Sequence, residues 1–275
     1  MTTIAPTAPP APSRPQPPTI GFPNLLRSEW TKLRSVRSTY WTAGIAALAS
    51  VALGIFICAR TAHSIERGDQ SLHGFDPTLT SLTGLYIAQV AVGALGVLTI
   101  TGEYGTGMIR ATLAAVPQRR AMLAAKGLVF ATATMVASEI MSFTAFGIGQ
   151  ALLAPAHAGA SLDQPGVLRA TIGGGLYLTA VGLLGFGMGA LIRHTAGALS
   201  AFFGTLFALT AVSDLLPTNW RNDVIRYMPP NAGSQILTVI HQAGALTPWT
   251  GLSVLCLYGL AAIAAATILI TRRGT

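Results

Sequence analysis

The sequence predicts an all-α integral membrane protein with six transmembrane helices, an N-terminal amphipathic helix in the membrane plane and both termini in the cytosol. Three observations predict this class. Charged residues make up 9% of the chain, against about 25% in an ordinary globular domain. The mean hydropathy is +0.57. Apolar runs recur along the chain, each close to the roughly 20 residues that a transmembrane helix needs.

The net charge of +8 could indicate a nucleic-acid partner. The Lys and Arg residues, however, lie in short clusters between apolar runs and form no basic face, which is typical of membrane topology. We therefore expect no nucleic acid. Cys58 and Cys256 both lie inside apolar runs, so the sequence indicates buried thiols and no disulfide framework.

Residues 1–23 are rich in proline and lack the apolar core of a signal peptide. Such a segment cannot build a core, so we predict a disordered cytosolic tail. The spacing of Pro12, Pro15 and Pro18 also matches a PxxP ligand, which is the alternative interpretation. We expect a single transmembrane domain over residues 24–275.

Residues 24–40 predict the in-plane helix. Leu26, Trp30, Leu33 and Tyr40 lie near one helical face, and basic residues occupy the rest. Basic side chains opposite Trp and Leu suit a helix in the headgroup layer. The alternative is a basic flank of the first span. The residues we assign to this helix are Trp30, Lys32, Arg34 and Arg37.

The predicted spans cover residues 38–59, 79–101, 126–152, 171–192, 195–213 and 251–271. A mixed polar loop is expected over residues 60–76, and a tight turn at Arg193 and His194 separates spans four and five. Gly185 and Gly189 form a GxxxG pair, which allows close approach of helix backbones. Residues 232–242 are apolar enough for a short re-entrant helix.

The basic residues predict the orientation. Five of the 17 Lys and Arg residues lie on one side of this layout, namely Arg60, Arg67, Arg169, Arg221 and Arg226. The other twelve lie on the side of the two termini. The positive-inside rule therefore places both ends in the cytosol.

The sequence carries no catalytic signature that we could identify. HExxH, G-x-S-x-G and paired His/Cys metal-ligand spacings do not occur, and neither does the GxxxxGK[ST] loop that binds nucleotide phosphates. We predict that the chain is not an enzyme, has no metal site and binds no cofactor of its own. Four histidines fall on the outer side of this layout: His63, His73, His157 and His241. A metal site formed by them is the alternative.

Glu139 is the ionisable residue predicted to lie deepest in a span. It follows Lys126 by 13 residues, about 20 Å along a helix, which places it near the middle of the membrane. An acid there must face protein or water. It could line a transport path or act as a gate. Equally, a carboxyl group that is protonated, or that Ser138 or Ser142 supports, could fasten two helices.

Residues 101–120 form the polar segment on which the functional hypothesis depends. Glu103, Tyr104 and the glycines after them indicate the exit from a helix, and residues 108–116 have helix-forming composition that Pro117 stops. A short cytosolic helix of this kind can dock in a groove of a soluble partner. The alternative is an ordinary connecting loop.

Two sequence runs resemble the membrane subunit of ABC-2 type ABC transporters. They are Glu-Trp-Thr-Lys-Leu-Arg-Ser-x-Arg-Ser-Thr-Tyr-Trp at residues 29–41 and Thr-Gly-Glu-Tyr-Gly-Thr-Gly-Met-Ile-Arg-Ala-Thr-Leu at residues 101–113. The resemblance covers residues 24–273 and leaves the proline-rich tail outside. It implies an in-plane connecting helix before the first span and a coupling helix after the second that sits on a separate ATPase subunit.

This resemblance implies a set of residues that contact the ATPase partner: Glu103, Tyr104, Gly107, Met108, Ile109 and Arg110. It also implies a second permease copy or a related permease in the bilayer, ATP and Mg on the partner subunit, and a location in the bacterial cytoplasmic (plasma) membrane. We therefore expect a permease that exports a small molecule, peptide or lipid. The alternatives are a secondary transporter driven by an ion gradient, a membrane enzyme, and a non-transporting anchor or sensor subunit.

Overall fold

A computed structural model describes residues 21–35, 37–68, 74–105, 119–208, 211, 224–240 and 244–272. These residues form helices and turns, with no strand among them. The helices are α1 (Phe22–Ser35), α2 (Arg37–Glu66), α3 (Pro77–Leu82), α4 (Leu85–Gly105), α5 (Arg119–Leu153), α6 (Val167–Ile192), α7 (Thr195–Phe203), α8 (Pro229–Ser234) and α9 (Pro248–Arg272). A π-helical turn, Gly204–Ala208, continues α7, and a 3-10 turn, Gln235–Leu237, follows α8.

Five of the described helices, α2, α4, α5, α6 and α9, are long and apolar enough to cross a membrane. This is the architecture of a multi-pass α-helical membrane protein. The predicted fifth span at residues 195–213 is described only as the apolar helix Thr195–Ala208. Fourteen residues rise about 21 Å, less than the roughly 30 Å hydrocarbon core. The count of six spans therefore stays a prediction.

Several boundaries differ from those predicted. The loop expected over residues 60–76 was wrong in its first part, because α2 continues through Arg60 to Glu66. No proline interrupts this stretch, and the helix gives way to a turn at Gly68, whose φ of 77° favours glycine. Charge alone had suggested the end of the span, but a polar helical turn can extend beyond the apolar run. α5 likewise starts earlier than predicted, at Arg119.

The predicted second span is divided into α3 and α4. Asp76 caps α3 by accepting a hydrogen bond from the Leu79 backbone N–H at 2.9 Å, and Pro77 occupies the first turn. The division falls at Gly84, where a Cβ atom would overlap the backbone carbonyl of Ser50 in α2. The break therefore lets α2 approach the backbone closely.

α6 lies at the centre of the bundle. In its most apolar stretch 72% of residues are buried, against 17% for α2 and 22% for α9. Tyr177, Leu178 and Phe186 of α6 are fully buried. α6 therefore packs over most of its surface, whereas α2 and α9 leave broad apolar faces exposed.

Glycines set the crossing of α4 and α6. A Cβ atom at Gly185 would overlap the carbonyl group of Gly93, and one at Gly96 would overlap that of Gly182. The predicted close packing through glycine faces is confirmed at this crossing.

Arg193 and His194 form the predicted tight turn between α6 and α7. Arg193 lies in the left-handed region at φ 62°, and His194 caps α7.

α8 and the 3-10 turn lie where the sequence predicted a re-entrant helix, although α8 begins at Pro229, before the predicted start at residue 232. Ala232, Ile236 and Leu237 are fully buried. Ile236 packs against the Gly173 backbone of α6. The segment is therefore seated in the helix bundle.

α1 and the last turn of α9 lie at the same end of the bundle, which we call the α1 end. Ile270 of α9 shares a buried cluster with Ile100 of α4 and Leu123 of α5. Leu25 of α1 packs against Ala125, close to Leu123 in α5. Asp76 and Arg169 lie at the opposite end, which we call the Asp76 end.

We expect Gly185→Ala to destabilise the protein by about 1–3 kcal/mol, since the added methyl group must displace the Gly93 backbone. Thermal unfolding of the full chain in detergent measures this effect. Gly147→Ala is the matched control, because Gly147 is exposed within α5 and has open space around it. Equal melting temperatures of the two variants would contradict the glycine crossing.

Candidate functional site

α1 is amphipathic, but its buried face differs from the predicted one. Leu25 and Glu29, one turn apart, are buried, whereas Trp30 is 44% exposed. Leu25 packs against Ala121 and Ala125 of α5. The helix itself was predicted; the acid on its buried side was not.

Glu29 is buried because it belongs to a cluster of four charged side chains, Glu29, Lys32, Glu103 and Lys126, which we call the Glu–Lys quartet. Lys126 Nζ lies 2.5 Å from Glu29 Oε2 and 2.8 Å from Glu103 Oε1. Lys32 Nζ lies 2.6 Å from Glu29 Oε1 and 3.3 Å from Glu103 Oε1. The quartet therefore joins α1, the end of α4 and the start of α5.

The charges of the quartet balance, with two carboxylates and two ammonium groups. Glu29, Glu103 and Lys126 are at most 7% exposed. Burying these ions costs several kcal/mol each, and only their pairing offsets that cost. Within the described part of the chain, Glu103 Oε2 has no hydrogen-bond partner. The cluster is thus neutral overall, yet it retains one free acceptor.

Lys32 is the most exposed member of the quartet. Burial favours its neutral form, but the hydrogen bond to Glu29 and the charges of Glu103 and Glu29 outweigh burial and raise the pKa of Lys32. A raised lysine pKa stabilises the fold below the ordinary lysine value. That contribution is lost as the pH rises through the raised pKa.

A second contact at the α1 end joins α4 to the turn between α6 and α7. The guanidinium carbon of Arg193 lies 5.7 Å from the centre of the Tyr104 ring, a cation–π geometry. Tyr104 also packs against the buried cluster around Ile100. Neighbouring residues 103 and 104 thus tie α4 to two different parts of the bundle.

The predicted partner-contact residues divide into two groups. Gly107, Met108, Ile109 and Arg110 lie outside the described residues. Glu103 and Tyr104 are described, and both side chains have internal partners. The quartet brackets residues 106–118, because Glu103 precedes them in α4 and Lys126 follows them in α5. Contact with a partner stays a prediction for all six residues.

The residues predicted for the in-plane helix also divide. Trp30 and Arg34 are exposed, and Lys32 points into the quartet. Arg37 lies at the start of α2, and its side chain is outside the described part. Lys32 therefore anchors α1 to the bundle, a role that its basic character alone did not indicate.

Glu139 lies in α5 against α6. Its carboxyl group occupies the space beside Gly175, where a Cβ atom would overlap it. Both carboxyl oxygens are buried and have no hydrogen-bond partner among the described residues. Ser142, which we considered as a support, donates instead to the Thr171 carbonyl oxygen at 2.6 Å. Glu139 therefore sits at a helix contact without the polar support that the sequence suggested.

The Asp76 end carries a polar clamp that the sequence analysis missed. Asp76 Oδ2 accepts hydrogen bonds from the Val239 and Ile240 backbone N–H groups at 2.7 and 3.2 Å. Arg169 donates to the carbonyl oxygens of Ile236 and Thr238 at 3.2 and 2.7 Å. These bonds hold the segment after α8 across this end. The available signal was the Asp-Pro start of α3, which by itself indicates only a helix cap.

Among the described residues, no group of three His, Cys, Asp or Glu side chains is placed to hold a metal ion. Cys58 in α2 is a buried free thiol, as predicted, whereas the free thiol of Cys256 in α9 is exposed, so the prediction of a buried thiol was wrong at that position. The Glu–Lys quartet is therefore the strongest candidate site. It concentrates buried charge within and beside residues 101–120, the polar segment on which the functional hypothesis depends.

We expect Lys126→Met to destabilise the fold by about 3–5 kcal/mol, because it leaves buried carboxylates without their central cation. Unfolding of the purified full chain in detergent measures this. The combined change Glu103→Gln with Lys126→Met should be less destabilising, since it removes one charge of each sign. Lys32→Met is the control at a more exposed position and should cost less. A Lys126→Met variant as stable as the native chain would contradict the assignment.

Comparison of the chain with protein-family models and with curated protein sequences finds no match.

Proposed function

We propose that the chain is the permease subunit of an ABC-2 type ABC transporter. The observation that carries this proposal is the Glu–Lys quartet, which fastens α1 to the two helix ends on either side of residues 106–118. A push on that segment by a soluble partner would be delivered to α1, α4 and α5 together. Glu29 and Lys32 of the quartet lie in the first family-like run, residues 29–41, and Glu103 lies in the second, residues 101–113.

The partner in this proposal is a separate ATPase subunit that carries ATP and Mg. Residues 106–118 would dock on it, with Gly107, Met108, Ile109 and Arg110 at the contact. Nucleotide can drive a conformational change only if it binds the two states with different affinity. Closure of an ATPase pair would supply that difference, and the quartet would keep α1, α4 and α5 moving as a unit.

The proposed assembly contains two permease copies, or this chain and a related permease, in a bacterial cytoplasmic membrane. The α1 end would face the cytosol, in agreement with the distribution of basic residues. The clamp of Asp76 and Arg169 would then lie at the outer end, across the exit. Export of a small molecule, peptide or lipid is the activity we propose.

The ATPase partner gives the most direct test of this proposal. The tagged full chain, purified gently from its native membrane, should carry with it a P-loop ATPase subunit. Arg110→Glu should abolish that association, since it reverses a charge at the proposed contact. Arg67→Glu, the same change in the predicted outer loop, is the matched control and should leave association intact. Loss of the ATPase with both variants or with neither would refute the docking assignment.

A second candidate function is a transporter driven by an ion gradient. The observation in its favour is Glu139, whose buried carboxyl oxygens have no partner among the described residues. Intramembrane acids of this kind occur in proton relays. A purely structural Glu139 would fit the first proposal equally well.

We expect Glu139→Gln to leave the melting temperature unchanged or higher, because the amide keeps the shape of the side chain and cannot acquire an uncompensated charge. Transport in reconstituted vesicles at several pH values separates the two functions. Under the ATP-driven proposal, transport and its pH dependence survive this change. A loss of pH-dependent transport with an intact fold would instead support the gradient-driven candidate.

A further inference from the structure

An apolar groove opens between α2, α4 and α5. Its volume is about 200 Å³. Small side chains create it, since six alanines line its walls: Ala43, Ala46, Ala47, Ala88, Ala133 and Ala137. Of the described residues in the lining, only Thr134 and Ser138 carry polar side-chain atoms.

The groove exists because α2 contacts the bundle closely over only part of its length. Ser50 touches the α3–α4 break at Gly84, and Gly54 approaches the Ser81 carbonyl oxygen. On the same face of α2, toward α1, the side chains at positions 43, 46 and 47 are only methyl groups. They leave the space open. Trp41, Ile45 and Leu48 point elsewhere and are strongly exposed.

The depth of the groove matches one leaflet of a bilayer. Along α5 its lining runs from Phe130 to Met141, which lie eleven helical rises, or about 16 Å, apart. Half of a hydrocarbon core about 30 Å thick is close to that length. Leu33 of α1 closes the lining at the α1 end. The groove thus starts beside the amphipathic helix and runs inward to about the membrane centre.

The chemistry of the lining selects the occupant. A bound water needs about two to four polar partners, and this lining offers only the side-chain hydroxyl groups of Thr134 and Ser138, so water is a poor occupant. A helix with its side chains is about 10–12 Å across and cannot enter it. A single acyl chain is apolar, flexible and thin enough to do so.

The mouth of the groove suits a charged headgroup. Arg34 follows Leu33 at the end of α1 and is exposed, and Trp30 is exposed one turn earlier. Trp is enriched at the membrane interface, and Arg attracts anionic lipid headgroups. Lys32 is already engaged by Glu29 and Glu103. α1 exposes two cations, Arg27 and Arg34, and Arg34 is the one that adjoins the groove residue Leu33 in the sequence.

From this placement we propose that the groove is a binding site for one anionic phospholipid, with one acyl chain between α2, α4 and α5 and its headgroup beside Arg34. The site requires insertion in a membrane and is independent of the proposed ATPase partner. The bound lipid fills the gap behind α2 and steadies that helix against the rest of the bundle.

The test uses the full chain reconstituted in vesicles of phosphatidylcholine and phosphatidylglycerol, extracted in mild detergent and washed. Native mass spectrometry then measures retained phospholipid. The native chain should retain one phosphatidylglycerol. Ala47→Leu, which fills the groove, should lose it. Ala49→Leu is the matched control on the exposed side of α2 and should retain it. Arg34→Gln should retain phospholipid but lose the preference for phosphatidylglycerol.

Equal retention by Ala47→Leu and Ala49→Leu would overturn the proposal. So would an Ala47→Leu variant that changes only the oligomeric state, since the groove would then receive a side chain from a second copy.

A second measurement, on the native chain, does not depend on the folding of any variant. Phosphatidylglycerol with a diazirine on its acyl chain, retained through the wash and irradiated, should label groove residues such as Ala133. Labelling confined to the exposed Val136 and Ile140 would refute the site.

Discussion

The ammonium group of Lys126, held between the carboxylates of Glu29 and Glu103, is the interaction on which the α1 end depends. Each of these groups would be costly to bury alone, and their mutual pairing makes burial tolerable. Because the three residues come from α1, α4 and α5, the pairing fixes an amphipathic surface helix to two long apolar helices. Hydrophobic contact alone could let α1 slide along the bundle, since Leu25 provides little directional constraint. Charge pairing specifies its position.

The glycine crossing between α4 and α6 extends this fixed unit to the centre of the molecule. Backbone contact at Gly93 and Gly185 leaves no room for adjustment, and Tyr104 with Arg193 adds a second connection near the α1 end. α2 is attached differently. It packs against the bundle from Ser50 to Ala62, where Cys58 and Ala62 share a buried cluster with Leu153, and it stands apart toward α1, where the alanine-lined groove lies. One half of α2 is therefore packed against the fixed unit, and the other half borders the groove.

Hydropathy predicted the helical membrane class, because long apolar runs have few other solutions in a bilayer. Gly185 predicted close packing, since a missing side chain is a local property of the sequence. Other features depend on contacts between distant residues. The composition of residues 24–40 does not place Glu29 on the buried side; its pairing with Lys126, 97 residues later in the chain, does. The division at Gly84 follows from the approach of Ser50 in another helix. Val239 and Ile240, which donate to Asp76, lie more than 160 residues away from it along the chain. Composition and periodicity carry no such long-range information.

The proposed function requires residues 106–118 to face the cytosol, where a soluble ATPase can reach them. Gly107→Cys, in a chain that also carries Cys58→Ala and Cys256→Ala, tests this directly with a membrane-impermeant thiol reagent. We predict labelling in inside-out membrane vesicles and protection in right-side-out vesicles until the membrane is permeabilised. Labelling in intact right-side-out vesicles would contradict it.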